Sequence, residues 1–259
     1  MSKDTTQVTK KASVPLIVKA GRGNLGGSTF LTAICEIAAS ASRNFLMADG
    51  DMRNPGISAS PLYARYGLPR PDSEDEHEIS EWFSMVFSAA TEKRLPLVLD
   101  IGGGDRTMEQ WAAEVDLVAF AESAGLEVCG LFFCGGDADD LAYITRLWET
   151  GKFRPTKGAV VFNAMTVPSG HAGSDILQSR TADPSLKPLF TAGIETLEFP
   201  KLGCMGAVKE TGLSYHDAAA GKIGSGGKPI DPVKRFMVTR WLNTIRQNIE
   251  VAGLQEMLP

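Results

Sequence analysis

Nine residues, Gly21-Arg22-Gly23-Asn24-Leu25-Gly26-Gly27-Ser28-Thr29, separate an apolar run, Leu16 to Ala20, from a segment in which Phe30, Leu31, Ile34, Ile37, Ala38 and Ala41 recur at helical spacing. The run before them reads as a buried parallel strand, and the segment after them as an amphipathic helix starting near Ser28. A glycine-rich turn from strand to helix leaves backbone N–H groups unpaired, and the helix N-terminus adds a partial positive charge. That combination is a phosphate cradle. It also commits the chain to a strand–helix unit, the building block of a parallel sheet.

The rest of the chain repeats the unit. Strand patterns fall at Asn44 to Ala48, Leu95 to Leu99, Leu117 to Ala121, Val128 to Cys134 and Ala159 to Phe162. Glu198-Phe199-Pro200 closes a last short strand. Helical patterns fall at Ile79 to Lys93, with Trp82, Phe83, Val86 and Phe87 inward, at Thr107 to Val115, and at Asp139 to Glu149. A long terminal helix runs from Pro232 to about Val251 with Val238, Leu242, Ile245 and Ile249 on one face. Residues 70 to 78 and Lys222 to Lys228 read as loops, and residues 166 to 193 are too aperiodic to place. The expectation is a doubly wound, mostly parallel α/β sheet flanked by helices. It forms one domain over residues 14–259, behind a frayed tail at 1–13.

In such a sheet, ligands bind outside the carboxyl ends of the strands. Four polar groups follow apolar strands: the loop 21–29, Asp49-Gly50-Asp51, Asp100 and Asn163. All four are expected on one edge of the sheet. The loop has the spacing of the P-loop, G-x-x-x-x-G-K-[ST], with one departure: Gly27 stands where the phosphate-binding lysine is expected.

These residues resemble the ParA/MinD family of P-loop ATPases, the deviant Walker A group, whose loop reads G-K-G-G-x-G-K-[ST]-T. By that resemblance Arg22 falls on the family's signature lysine, Gly27 on its Walker A lysine and Ser28 on the magnesium-ligating hydroxyl. The run from Phe45 to Arg53 is similar to a D-x-D-x-R element, and Leu97 to Asp105 to a Walker B strand followed by a switch, here D-I-G-G-G-D. The D-I-G-G-G-D variant is associated with plasmid mobilisation and conjugal-transfer relatives. The resemblance spans about residues 14 to 220. It implies ATP or ADP bound by Gly21, Arg22, Gly23, Asn24, Leu25, Gly26, Gly27, Ser28 and Thr29, with Asn163 on the adenine. It implies Mg2+ held by Ser28 and Asp100, an attacking water oriented by Asp51, and Arg22 contacting phosphate within the subunit or across a homodimer. Loss of one cationic transition-state contact costs on the order of 10²–10³ in rate. The expected protein therefore binds nucleotide weakly and hydrolyses it slowly or not at all. It would act as a dimeric switch or scaffold in DNA partition or mobilisation.

Two other classes fit part of the pattern. Gly21 to Gly26 also matches G-x-G-x-x-G, and Asp49 ends the next strand, as in a Rossmann oxidoreductase that holds the ribose of NAD. No Tyr-x-x-x-Lys or similar hydride-transfer pair accompanies it. A nucleotide-free pseudo-ATPase acting through an unknown protein partner is the third class.

Charge bears on partners. The chain carries a net −5, yet the stretch from Lys222 to Arg246 holds Lys222, Lys228, Lys234, Arg235, Arg240 and Arg246 against Asp231 alone. That local excess favours nonspecific DNA contact. The segment Gly253 to Pro259 is short and lacks a basic amphipathic stripe, which argues against a membrane-targeting helix. Met1 to Ala12 is polar and lysine-rich with no apolar h-region, so a cytoplasmic location is expected. Cys35, Cys129, Cys134 and Cys204 form no metal-ligand spacing and read as structural thiols. Cys129 and Cys134, five apart in one strand, are expected on opposite faces. His77, His171 and His216 lie apart in polar segments and make no catalytic pair.

Overall fold

The computed structural model describes residues 13–102, 114–167 and 178–259. The tail 1–12, most of the expected helix 107–115, the second half of D-I-G-G-G-D and His171 lie outside them.

Six strands, β1 (Val14–Ala20), β2 (Leu46–Asp49), β3 (Leu97–Asp100), β4 (Leu126–Cys134), β5 (Lys157–Asn163) and β6 (Ile194–Phe199), form one sheet. Its order is β2-β3-β1-β4-β5-β6, and every pairing is parallel. The strands are apolar on both sides because helices cover both faces. On one face Ile17, Met47, Val98, Cys129, Leu131, Phe133 and Val161 pack against α1 (Gly27–Ser40) and the long C-terminal helix. On the other, Leu16, Val18, Leu99, Phe132, Cys134 and Val160 pack against the helix Glu76–Lys93 and the helix Ala138–Glu149. Alternation along β4 puts Cys129 on the first face and Cys134 on the second, as their odd spacing requires, and all four cysteines are buried thiols.

Most of the expected elements occur within two residues of their sequence bounds. Trp82, Phe83, Val86 and Phe87 are buried along the helix Glu76–Lys93, whose N-cap Asp75 accepts from His77 N. The C-terminal helix spans Pro232–Val251 and buries Val238, Trp241, Leu242, Ile245 and Ile249. One expectation is overturned: Leu117 to Ala121 is not a strand but part of a helix, Leu117–Ser123. Asp116 accepts from Ala119 N at its start, and Leu117 and Ala121, four apart, are its buried residues. Five apolar residues carry too little period to separate strand from helix, and the cap decides it.

This winding places the four polar groups together. The chain leaves β1 toward β2 and leaves β4 toward β5, so the crevice outside the carboxyl ends of neighbouring β1 and β4 is the switch point of the sheet. The loop 21–26 opens there. Asp49 and Asp100 are register partners at the ends of β2 and β3, and Asn163 ends β5 beside Phe199.

Candidate functional site

A cleft of about 1040 Å³ is lined by the whole loop Gly21 to Thr29 together with Lys19, Asp51 and the turn Met52 to Gly56. That is ample for a nucleotide. Gly26 is the N-cap of α1 in the left-handed region at φ 80°, and Asn24 is there too at 65°. Left-handed residues at alternate positions, 24 and 26, turn the backbone N–H groups between them toward one concavity, as in an anion nest. Among the described residues no side chain caps α1, so the N–H groups of Gly27, Ser28 and Thr29 are left for a ligand. A Cβ at Gly26 would lie 2.5 Å from Asn163 Nδ2, so the loop's course there requires glycine twice over, by φ and by space.

Asn163 is 2% exposed. Its Nδ2 donates to Leu25 O at 2.7 Å, and its Oδ1 accepts from Met165 N at 2.9 Å. The side chain fastens the loop from below; in this geometry its polar atoms face the protein.

Asp49 and Asp100 are both 0% exposed. Asp49 accepts from three backbone N–H groups, those of Asp51 (3.1 Å), Gly56 (2.9 Å) and Ser58 (2.8 Å). It therefore organises the turn that follows β2. This answers the Rossmann reading physically. Both oxygens of Asp49 are consumed by backbone, and β3 stands between β2 and β1, which puts Asp49 a full strand further from the loop than a ribose-binding acid in the 3-2-1-4-5-6 order.

Asp51 lies at the cleft wall, with Oδ1 accepting from Arg53 N (3.2 Å) and Asn54 N (2.9 Å). Arg53 is bidentate to Glu74, at 2.7 and 2.8 Å. Arg22 reaches away from the centre of the loop. Its Nη1 is 3.3 Å from Asp140, 3.5 Å from Asp137 and 3.8 Å from Asp139, around the start of the helix Ala138–Glu149. An anion that recruited Arg22 would have to compete with three carboxylates of the same chain.

The residue that the sequence reading missed is Lys19. Val18 pairs with Leu99, so the next residues in parallel register are Lys19 and Asp100. They form an ion pair, with side chains 11% and 0% exposed. Lys19 Nζ also donates to Ser28 Oγ at 3.0 Å. Asp100 Oδ2 accepts from Ile57 N at 3.2 Å. Burial pushes the Asp100 carboxyl above the usual carboxylate range, and the adjacent Lys19 opposes that shift. A signal for Lys19 was present: a lysine at the end of an otherwise apolar buried strand needs a charge partner.

The expected magnesium ligands are thus adjacent, but they do not form a metal site in this arrangement. The ammonium of Lys19 bridges Ser28 and Asp100, and Gly56 closes over them so tightly that a Cβ there would overlap Asp100 Oδ2 and lie 2.6 Å from Ser28 Oγ.

No family model and no curated protein matches the chain. Solved structures similar to it include MinD of Aquifex aeolicus in a MinC:MinD cell division complex, at 12% identity and TM-score 0.47 over 88% of this chain and 96% of that one. Chloroplast FtsY from Physcomitrella patens is similar at 16% identity and TM-score 0.48 over 91% of this chain, which spans 65% of the FtsY chain. A nucleotide-binding protein from Archaeoglobus fulgidus in complex with ADP is similar at 12% identity and TM-score 0.37, over 91% and 88% of the two chains. All three are distant likenesses of chain course. Among the described residues no helix is long and apolar enough to cross a membrane.

Proposed function

We propose that this chain is a ParA/MinD-like nucleotide-binding protein with impaired or absent ATP hydrolysis, working as a dimeric switch or scaffold in DNA partition or mobilisation. The observation that carries the nucleotide reading is the uncapped N-terminus of α1, set in a left-handed glycine loop at the switch point of a parallel sheet and opening on a cleft of nucleotide size. Impaired hydrolysis follows from what the loop lacks. Gly27 brings no charge, Arg22 is held by Asp137, Asp139 and Asp140, and Asp51 is engaged with the backbone of its own turn.

Calorimetric titration with ADP, ATP and NAD, paired with a phosphate-release assay, tests the reading. Saturable binding of ADP and ATP with turnover no faster than a buffer control is expected. Binding of NAD alone would replace this reading with the dinucleotide one, and no binding of any of the three would leave a nucleotide-free scaffold.

The DNA part of the proposal rests on the basic stretch at the C-terminal helix. Two of its cations are paired within the chain, Lys222 with Asp217 at 2.7 Å and Lys234 with Asp231 at 3.2 Å, while Lys228, Arg240 and Arg246 are exposed. Replacing Lys228, Arg240 and Arg246 by Glu is expected to abolish the gel shift of a duplex at low salt and leave ADP binding unchanged. An unaltered shift would remove this stretch as the DNA surface.

A further inference from the structure

We propose that Lys19 is the resident cation of this site: its ammonium stands where a divalent metal would bridge Ser28 and Asp100, and the cleft binds a nucleoside polyphosphate without metal. The inference rests on the nucleotide reading above.

Three observations carry it. First, register and strand parity aim Lys19 at this place. Ile17 and Val98 share the α1 face of the sheet, so Lys19 and Asp100, two residues on along β1 and β3, share it too. Second, the lysine fits because residue 27 has no side chain. A Cβ at Gly27 would lie 2.9 Å from Lys19 Cδ, so the stem of Lys19 occupies the space a side chain at 27 would enter. The missing loop lysine and the extra strand lysine are two halves of one substitution. Third, the ammonium engages both expected metal ligands, Ser28 Oγ at 3.0 Å and Asp100 as an ion pair, and still borders the cleft. An ammonium has three donors. Two face Ser28 and Asp100, and the third remains for a phosphate oxygen.

A divalent ion and a lysine ammonium cannot share one gap between the same two oxygens. The charge balance also differs. Mg2+ would leave a net positive charge beside Asp100, whereas Lys19 neutralises it, so the phosphate is held mainly by backbone N–H groups and one ammonium donor. That arrangement serves binding and supplies little stabilisation of a developing charge in phosphoryl transfer.

The test is calorimetric titration of the full chain with ADP, in excess Mg2+ and in EDTA, for wild type, Lys19→Met and the exchange variant Lys19→Met/Gly27→Lys. Folding of each is checked by circular dichroism. Wild type is expected to bind ADP equally, within twofold, in both buffers. Lys19→Met is expected to lose at least tenfold in EDTA and to regain affinity with Mg2+. The exchange variant, which returns one lysine to the loop and covers the case in which Lys19→Met fails to fold, is expected to bind ADP more tightly in Mg2+ than in EDTA. A tenfold gain by wild type on adding Mg2+, or undiminished binding by Lys19→Met in EDTA, would overturn the proposal. Mn2+ binding, read by electron paramagnetic resonance without nucleotide, separates this inference from the reading beneath it. No Mn2+ bound by wild type, and one Mn2+ gained by a folded lysine-19 variant and lost again on Asp100→Asn, would uphold the exchange even if no nucleotide bound. Equal Mn2+ uptake by wild type would sink it.

Discussion

At the scale of single residues, the fold buries carboxylates and answers each one differently. Asp49 is met by backbone N–H groups and Asp100 by an ammonium. Removing that ammonium leaves a charge at a fully buried position, which costs about 3–5 kcal/mol when one partner of a buried pair is deleted. Urea denaturation is therefore expected to rank Lys19→Met below wild type by that amount. Adding Asp100→Asn should recover much of the loss; additive losses in the double variant would mean that the two side chains do not interact.

Glu36, on α1 and 3% exposed, is the third case. It accepts from Tyr215 N and His216 N, both at 2.9 Å, and so caps the short helix Tyr215–Ala219. Burial pushes its carboxyl from 4.5 up to about 7, the two N–H groups oppose this, and Asp217 adds to it. Between those values the folded chain binds the proton that the unfolded chain has released, so stability falls as pH rises from about 4.5 to 7 and is level above. By the free energy of a pKa unit the whole effect is at most about 3 kcal/mol. His216, pushed down by burial, slopes the other way below its ordinary 6.5. Subtracting the stability–pH curve of Glu36→Gln from that of wild type cancels the histidine and should leave the Glu36 slope; two parallel curves would refute the assignment.

At the scale of elements, a loop is only as ordered as its fastenings. The loop before α1 has no cap of its own and is tied down by Asn163 from the end of β5. Asn163→Ala strips the Leu25 carbonyl of that buried partner, a loss of about 1–3 kcal/mol. Faster amide exchange at Leu25 and Gly26 should accompany it, with the far ends of β1 and β5 unaffected. Exchange that accelerates uniformly would mean Asn163 serves the sheet and not the loop. Asn163 thus anchors the loop, a role that its position after a strand could not distinguish from a base contact.

At the scale of the whole molecule, two cores on opposite faces of the sheet are stitched together by strands that contribute alternate residues to each. The helix Pro232–Val251 closes one of them, with Ile245 at 0% exposure and Trp241 set edge-on to Tyr215 and tilted against Phe199. Ile245→Ala is expected to cost about 2–5 kcal/mol in urea denaturation with an unchanged m-value. A second transition appearing at low urea would show instead that this helix unfolds apart from the sheet.

The sequence by itself determined the parallel α/β plan, because strand and helix periods are local and each polar strand end is visible in a few residues. It determined which edge gathers the polar groups, since Asp49, Asp100, Asn163 and the glycine loop each follow an apolar run. Tertiary structure decided what those residues do. Only pairing β1 directly with β3 sets Lys19 beside Asp100, only the winding of β4 brings Asp137, Asp139 and Asp140 to Arg22, and only the turn after β2 closes Gly56 over Ser28. A charge's partner is fixed by strand order and register, which join residues some eighty to a hundred and twenty positions apart, and no local pattern encodes a distance of that kind.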